Sequence, residues 1–178
     1  MEDLVLVKKA IKGNEAAFEK LVKSESEKLY KTAFLYVRNK EDALDVLQET
    51  ICKAFTTIDQ VKQPEYFSTW LTRILINTAY DLLRKRKRLV LDDDFIREMP
   101  DTSGKDIENK MDLVNAIHKL DERYRTVIIL FYYQSLSIRE ISKVLEKPEN
   151  TVKTYLRRAK MELKMIIGGV EINGRKTV

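Results

Sequence analysis

Residues 67–88, FSTWLTRILINTAYDLLRKRKR, combine aromatic rings with a track of cations. Arg73, Asn77, Asp81, Arg84 and Arg88 follow one another at steps of three or four residues, so on a helix they share one side. Tyr66, Phe67 and Trp70 stand at the start, and five basic residues in succession, Arg84 to Arg88, stand at the end. Unstacked bases stack on rings while phosphates meet cations, so the segment suits single-stranded nucleic acid. The same residues admit a plainer reading. Phe67 and Trp70 would be core, and the basic run would complement the dipole at a helix C-terminus. For Trp70 both readings stand.

A second chemistry lies in SLSIREISKVLEKPENTVKTYLRRAK, residues 135–160. Ser137 with Glu140 three residues on is a capping pair that starts a short helix. A turn containing Pro148 follows, and a second helix begins near Asn150. Ile138, Ile141 and Leu145 are placed to face Val152, Leu156 and Ala159, the small core of a helix-turn-helix. The second helix then offers Lys153, Thr154, Arg157, Arg158 and Lys160 outward. Arg and Lys donate to guanine O6 and N7 in the major groove, and Thr reaches base edges or phosphate. Turns of this kind often place Gly where φ is positive. Here Glu146 is the occupant, at a cost of about 1 kcal/mol.

The third segment is EDALDVLQETICKAF, residues 41–55. Leu44, Leu47, Ile51, Phe55 and Ile58 form one apolar stripe. Asp45, Gln48, Glu49 and Cys52 cluster on a neighbouring face. Carboxylates and an amide at i, i+3 and i+4 can meet a basic partner surface, although a solvated acidic face has the same spacing.

The elements that must position these groups are helices. Only Pro64, Pro100 and Pro148 interrupt the chain, and three of its five glycines lie in the last eleven residues. Apolar residues recur at helical spacing, as in the stripe Phe67, Leu71, Ile74, Leu75, Thr78 and Leu82. The pattern predicts helices at about 3–12, 15–37, 41–58, 67–87, 107–119, 123–134, 138–145 and 150–166. Asn39 with Asp42 reads as a further capping pair. The segment 89–110 breaks the periodicity with Ser103, Gly104 and Pro100 and carries Asp92, Asp93 and Asp94. The fold class is therefore all-α, with two small helical domains joined by a flexible acidic linker. The domains are placed at 1–88 and 107–178, and the linker at 89–106.

Charge follows the same division. Residues 1–88 carry a net +4, residues 89–110 a net −4 and residues 111–178 a net +5. Basic blocks point to polyanions. Composition also excludes. One cysteine, Cys52, allows no internal disulfide, and with one histidine, His118, a zinc site lacks ligands. Five glycines form no phosphate-binding loop. No secretory start and no apolar run of about 18 residues is present, which predicts a cytoplasmic location. No cofactor, no metal and no small-molecule substrate is expected, and Cys52 reads as a small buried hydrophobe.

The order ALDVLQE, FSTWLTRILINTAYDLLRKRKR, acidic segment, LSIREISKVLEKPENTVKTYLRRA resembles a bacterial RNA polymerase sigma factor of the extracytoplasmic-function (ECF) group. The resemblance spans roughly residues 10–166. It implies that Asp45, Leu47, Gln48 and Glu49 dock on the β′ clamp of core polymerase. Gln60, Lys62, Trp70, Arg73, Asn77, Asp81 and Arg84 would meet the −10 element, with a flipped base held in the loop Gln60 to Glu65. Thr151, Lys153, Thr154, Arg157, Arg158 and Lys160 would meet the −35 element. It further implies contact with the β flap, a linker that mimics nucleic acid in the polymerase RNA path, and an anti-sigma partner. Glu146 and Lys147 depart from the family's usual Gly and apolar residue.

The implied function is that of a promoter-specificity subunit that assists DNA melting and catalyses nothing itself. A stand-alone helix-turn-helix regulator would require dimerisation, and no dimerisation heptad is visible. A nuclease would require metal-binding carboxylates, for which Asp92, Asp93 and Asp94 are the candidates.

Overall fold

The computed structural model describes residues 2–92 and 108–174; side chains are described for residues 3–88 and 113–167. Most of the acidic segment therefore lies outside the described residues. All regular elements among the described residues are helical.

In the first unit α1 (Glu2–Ile11) and α2 (Glu15–Val37) are separated by a tight turn. Gly13 takes φ 87° there, a conformation that strains a side chain. Asn14 then caps α2, its side-chain oxygen accepting from the Ala17 amide at 2.8 Å. α2 ends on Arg38, whose φ of 57° turns the chain without a glycine. α3 (Lys40–Thr57) starts on Asn39, which accepts from the Asp42 amide at 2.9 Å. Two short 3₁₀ turns, Ile58–Gln60 and Pro64–Tyr66, lead into α4 (Phe67–Asp92).

α2 packs on α1, α3 and α4, and α3 packs on α4. The core contains Leu29, Tyr36, Val46, Leu71 and Leu75, all essentially inaccessible. Each such side chain contributes about 1.5–3 kcal/mol of transfer free energy. Tyr36 and Tyr80 meet edge to face with ring centroids 5.4 Å apart.

The stripe expected to be apolar and inward on α3 is not the buried one. Ala43, Val46, Thr50 and Ala54 face inward, while Leu44 and Phe55 are 48% and 46% exposed. Leu47 and Ile51 are half-buried, and only Ile58 of that set is buried. Small residues let neighbouring helices approach closely, so the larger side chains turn outward. Cys52 is likewise exposed rather than buried, because it projects from the side opposite Ala54. On α4 the expected stripe holds: Phe67, Leu71, Leu75 and Thr78 are buried, and Ile74 and Leu82 half-buried.

The second unit contains α5 (Glu108–Lys119), α6 (Glu122–Ile128), most of α7 (Ile138–Leu145) and α8 (Glu149–Gly174). α6 packs on α8, and α5 on both. The expected helix 123–134 is not uniform. After Ile128 the chain widens into a π turn, Ile129–Tyr133, closed by the Gln134 amide on the Ile129 carbonyl at 3.1 Å. Val127 to Leu130 are all buried, as expected of four successive apolar residues. α4 and α8 run further than their periodicity indicated, to Asp92 and Gly174. α4 thus enters the segment read as linker.

Candidate nucleic-acid and protein interfaces

The outward side of α3 combines acid and apolar groups. Asp45, Gln48 and Glu49 are exposed and Leu47 is half-buried, beside the exposed Leu44 and Phe55. Phe55 is held by the edge of Phe18, with centroids 5.3 Å apart. Glu49 is paired with Lys53 at 3.2 Å, and the Lys53 ammonium donates to Thr78 Oγ1 across the α3–α4 groove at 3.3 Å. That groove is lined by Asp45, Glu49, Lys53, Asp81 and Lys85. Such a face suits a protein partner that brings both a cation and apolar surface.

The exposed side of α4 carries Arg73, Asn77, Asp81, Arg84 and Arg88 in line. Arg84 is drawn back along the helix, Nη2 lying 3.7 Å from Asp81 and Nε donating to the Tyr80 carbonyl at 3.4 Å. Trp70 is half-buried, its ring tilted against Phe67 with centroids 5.9 Å apart. Half-burial against Phe67 accommodates both readings of Trp70. Gln60 and Lys62 are exposed in the loop before α4.

Arg86 departs from the rest of the basic run. Its guanidinium holds both carboxylate oxygens of Asp42 in a two-pronged ion pair. Asp42 is 6% exposed. Burial pushes its carboxyl above the usual range, against the attraction of Arg86 and with repulsion from Asp45 and Glu41. Asp42 was expected to cap α3 reciprocally with Asn39. Only the Asn39 half forms, because the carboxylate is committed to Arg86.

In the second unit Ser137 and Glu140 complete a capping box at the start of α7. α7 ends on Glu146, with φ 52° and ψ 42°, the left-handed conformation expected for the turn. Three residues separate α7 from α8. Ile141, Val152, Leu156 and Ala159 are buried, and Ile138 and Leu145 half-buried. Lys153, Arg157, Arg158 and Lys160 point outward. Thr151 and Thr154 are half-buried, and the Thr154 hydroxyl donates to the Asn150 carbonyl at 2.9 Å. Thr154 therefore offers its oxygen as an acceptor and its methyl for apolar contact. Lys160 lies over Phe131 and Tyr132, at 5.4 and 5.6 Å from the ring centroids.

The sequence reading missed a neighbouring cluster. Arg123 bonds Asp121 at 2.9 Å and lies 5.9 Å from the centroids of Tyr124 and of Tyr155 on α8. Spacing alone does not bring residues 121, 123 and 155 together.

Two family models match the chain. Sigma-70 region 2 covers residues 21–89, and Sigma-70, region 4 covers residues 110–163. Among curated relatives, RNA polymerase sigma factor SigV of Bacillus subtilis is 41% identical over 130 residues, 73% of this chain and 78% of the relative. ECF RNA polymerase sigma factor SigW of Bacillus subtilis is 31% identical over 173 residues, 89% of this chain and 92% of the relative. Among solved structures, CnrH in complex with the cytosolic domain of CnrY aligns with TM-score 0.76 and 27% identity, covering 94% of this chain and 97% of CnrH. The sigma factor RpoE in complex with the anti-sigma factor NepR from Bartonella quintana aligns with TM-score 0.73 and 25% identity, covering 85% and 96%. With both sigma-70 regions matched in order and SigW matched over 92% of its length, the chain belongs to the sigma-70 family of RNA polymerase sigma factors, in its ECF group.

Proposed function

We propose that this chain is the promoter-specificity subunit of RNA polymerase and that its two units divide the work. α3 docks on the core enzyme through Asp45, Leu47, Gln48 and Glu49, with Leu44 and Phe55 adding apolar surface. Asp45 and Glu49 meet cations of the clamp. Arg73, Asn77 and Arg84 on α4, with Gln60, Lys62 and Trp70, engage the opened −10 strand, and Asp81 lies on the same track. The accessible part of Trp70, which is only half-buried, is available to an unstacked base. On α8, Lys153, Arg157 and Arg158 enter the −35 major groove, with Thr151, Thr154 and Lys160 beside them.

The observation that carries this reading is the outward-facing apolar and acidic side of α3 in one chain with a capped helix-turn-helix. Leu44 and Phe55, with the half-buried Leu47 and Ile51 between them, make an accessible apolar stripe of the kind a partner covers. The chain holds no reaction of its own on this reading and works in the cytoplasm. An anti-sigma partner is supported by the RpoE–NepR complex among its structural neighbours.

The test is reconstituted transcription. The protein is mixed with core polymerase and fragmented genomic DNA of its source, and RNA 5′ ends are mapped. New starts that need both components and share two spaced upstream elements are the expected result. A folded protein that is not retained on active core polymerase overturns the reading.

A further inference from the structure

Five consecutive cations, Arg84 to Arg88, end the described side chains of α4, and a run of this kind ordinarily meets phosphates. Arg86 is already engaged. Both Nη atoms meet both oxygens of Asp42, 44 residues earlier. A two-pronged guanidinium–carboxylate pair is directional, so it fixes orientation as well as distance. Asp42 is itself anchored: its amide is held by Asn39 at the start of α3, and its side chain is 8% exposed. The pair therefore fastens the first turn of α3 to the far part of α4. The two helices are also joined at Lys53 and Thr78. α3 carries the proposed polymerase face, and α4 the proposed −10 face.

We propose that Arg86 is a positioning residue, not a DNA contact: with Asp42 it sets the register of the −10 helix against the polymerase-docking helix. This rests on the function proposed above. Arg86 is itself half accessible, but a phosphate reaching it would have to compete with a buried carboxylate, whereas Lys85, Lys87 and Arg88 are exposed and Arg84 is paired with the exposed Asp81. Polymerase thus holds α3, and the strand it must open is met by an α4 whose rotation and axial position are set from α3.

The experiment uses holoenzyme assembled from core polymerase and the full chain carrying Arg86→Lys, Arg86→Gln, Asp42→Asn or the Asp42→Asn/Arg86→Gln double substitution. Retention on core, open-complex formation on a duplex promoter and on one pre-opened across the −10 element, and the salt dependence of DNA binding are measured. Each variant is assayed below its own thermal midpoint. Lys keeps the charge but loses the fork, so Arg86→Lys separates the two roles. The expected result is retention within about twofold of the parent and an unchanged salt slope, with opening of the duplex promoter reduced about tenfold in all four variants. The double variant is no worse than either single, and pre-opened DNA restores most of the loss.

The proposal is overturned if Arg86→Lys matches the parent while Arg86→Gln lowers the salt slope by about 0.7–0.9, the signature of one lost phosphate contact. It is also overturned if Asp42→Asn opens the promoter normally, or if retention and opening fall together, as a general loss of fold would cause. Failure of the parent protein itself to bind core polymerase would instead sink the function on which the proposal rests.

Discussion

Arg125 reaches back from α6 to the end of α5, its Nη2 donating to the His118 carbonyl at 2.6 Å and the Leu120 carbonyl at 3.2 Å. The last carbonyls of a helix have no partner within it, and a cation there also meets the negative end of the dipole. One guanidinium thus closes the α5–α6 corner on which α8 packs. Arg125→Ala is expected to destabilise the protein by about 2 kcal/mol. Arg125→Lys should recover only part, since both bonds leave the single Nη2, which lies one bond farther from the backbone than a lysine Nζ reaches. Denaturant unfolding followed by circular dichroism measures this; equal midpoints for the parent and the Ala variant would contradict the assignment.

Glu146 ends α7 in the left-handed region, with φ 52°. Glu146→Gly should raise stability by up to about 1 kcal/mol, because relief of the Cβ clash outweighs the entropy glycine adds to the unfolded chain. An unchanged or lower thermal midpoint would show that other contacts of Glu146 outweigh the strain.

The capping box at α7 is reciprocal: the Glu140 carboxylate accepts from the Ser137 amide at 2.8 Å, and the Ser137 oxygen accepts from the Glu140 amide at 3.3 Å. Ser137→Ala is expected to cost about 1 kcal/mol. Since α7 is the first helix of the helix-turn-helix, the same variant should weaken binding to the −35 element in holoenzyme. Gel shifts at several temperatures separate the two effects.

Burial, the largest influence on Asp42, raises its carboxyl above the ordinary value, with Arg86 opposing. The sign follows from linkage. At pH below the ordinary carboxylate range the group is protonated in both folded and unfolded chains, and its contribution is fully present. As pH rises through its raised folded value, the folded state must ionise a carboxyl that the unfolded chain ionises more readily, and stability is lost. Asp42→Asn lacks that loss. Its stability relative to the parent should therefore increase from about pH 4 to pH 7, whatever constant offset the loss of the carboxylate opposite Arg86 imposes. Unfolding midpoints measured across that range check the slope; a difference that falls with pH would reverse the sign.

Leu44 and Phe55 are half-exposed although large and apolar. Leu44→Glu should leave stability within about 0.5 kcal/mol of the parent, as surface substitutions do. The same change should reduce retention on core polymerase at least tenfold by placing a charge in the docking face. A large drop in thermal midpoint would instead show that Leu44 belongs to the core.

Much of this molecule is legible in its residues. Scarce proline and glycine and a 3.6-residue apolar period determine an all-helical chain; Ser137 with Glu140 determines where α7 starts, and the sequence SKVLEKPEN puts Glu146 where the backbone must turn left-handed. These signals are local, because a helix and its caps are made of groups within four residues of one another.

The inward side of α3 could not be settled that way. Ala43, Val46, Thr50 and Ala54 and the set Leu44, Leu47, Ile51 and Phe55 both recur at helical spacing. Hydrophobicity alone favours burying the larger set. Close approach of α2 and α4 selects the smaller one and turns the larger set, with Cys52, outward. The fork between Asp42 and Arg86, the reach of Lys53 to Thr78 and the approach of Arg123 to the Tyr155 ring are likewise properties of folded space. Each joins residues far apart in the chain. Burial and pairing are relations between surfaces, and only the tertiary structure decides which surfaces meet.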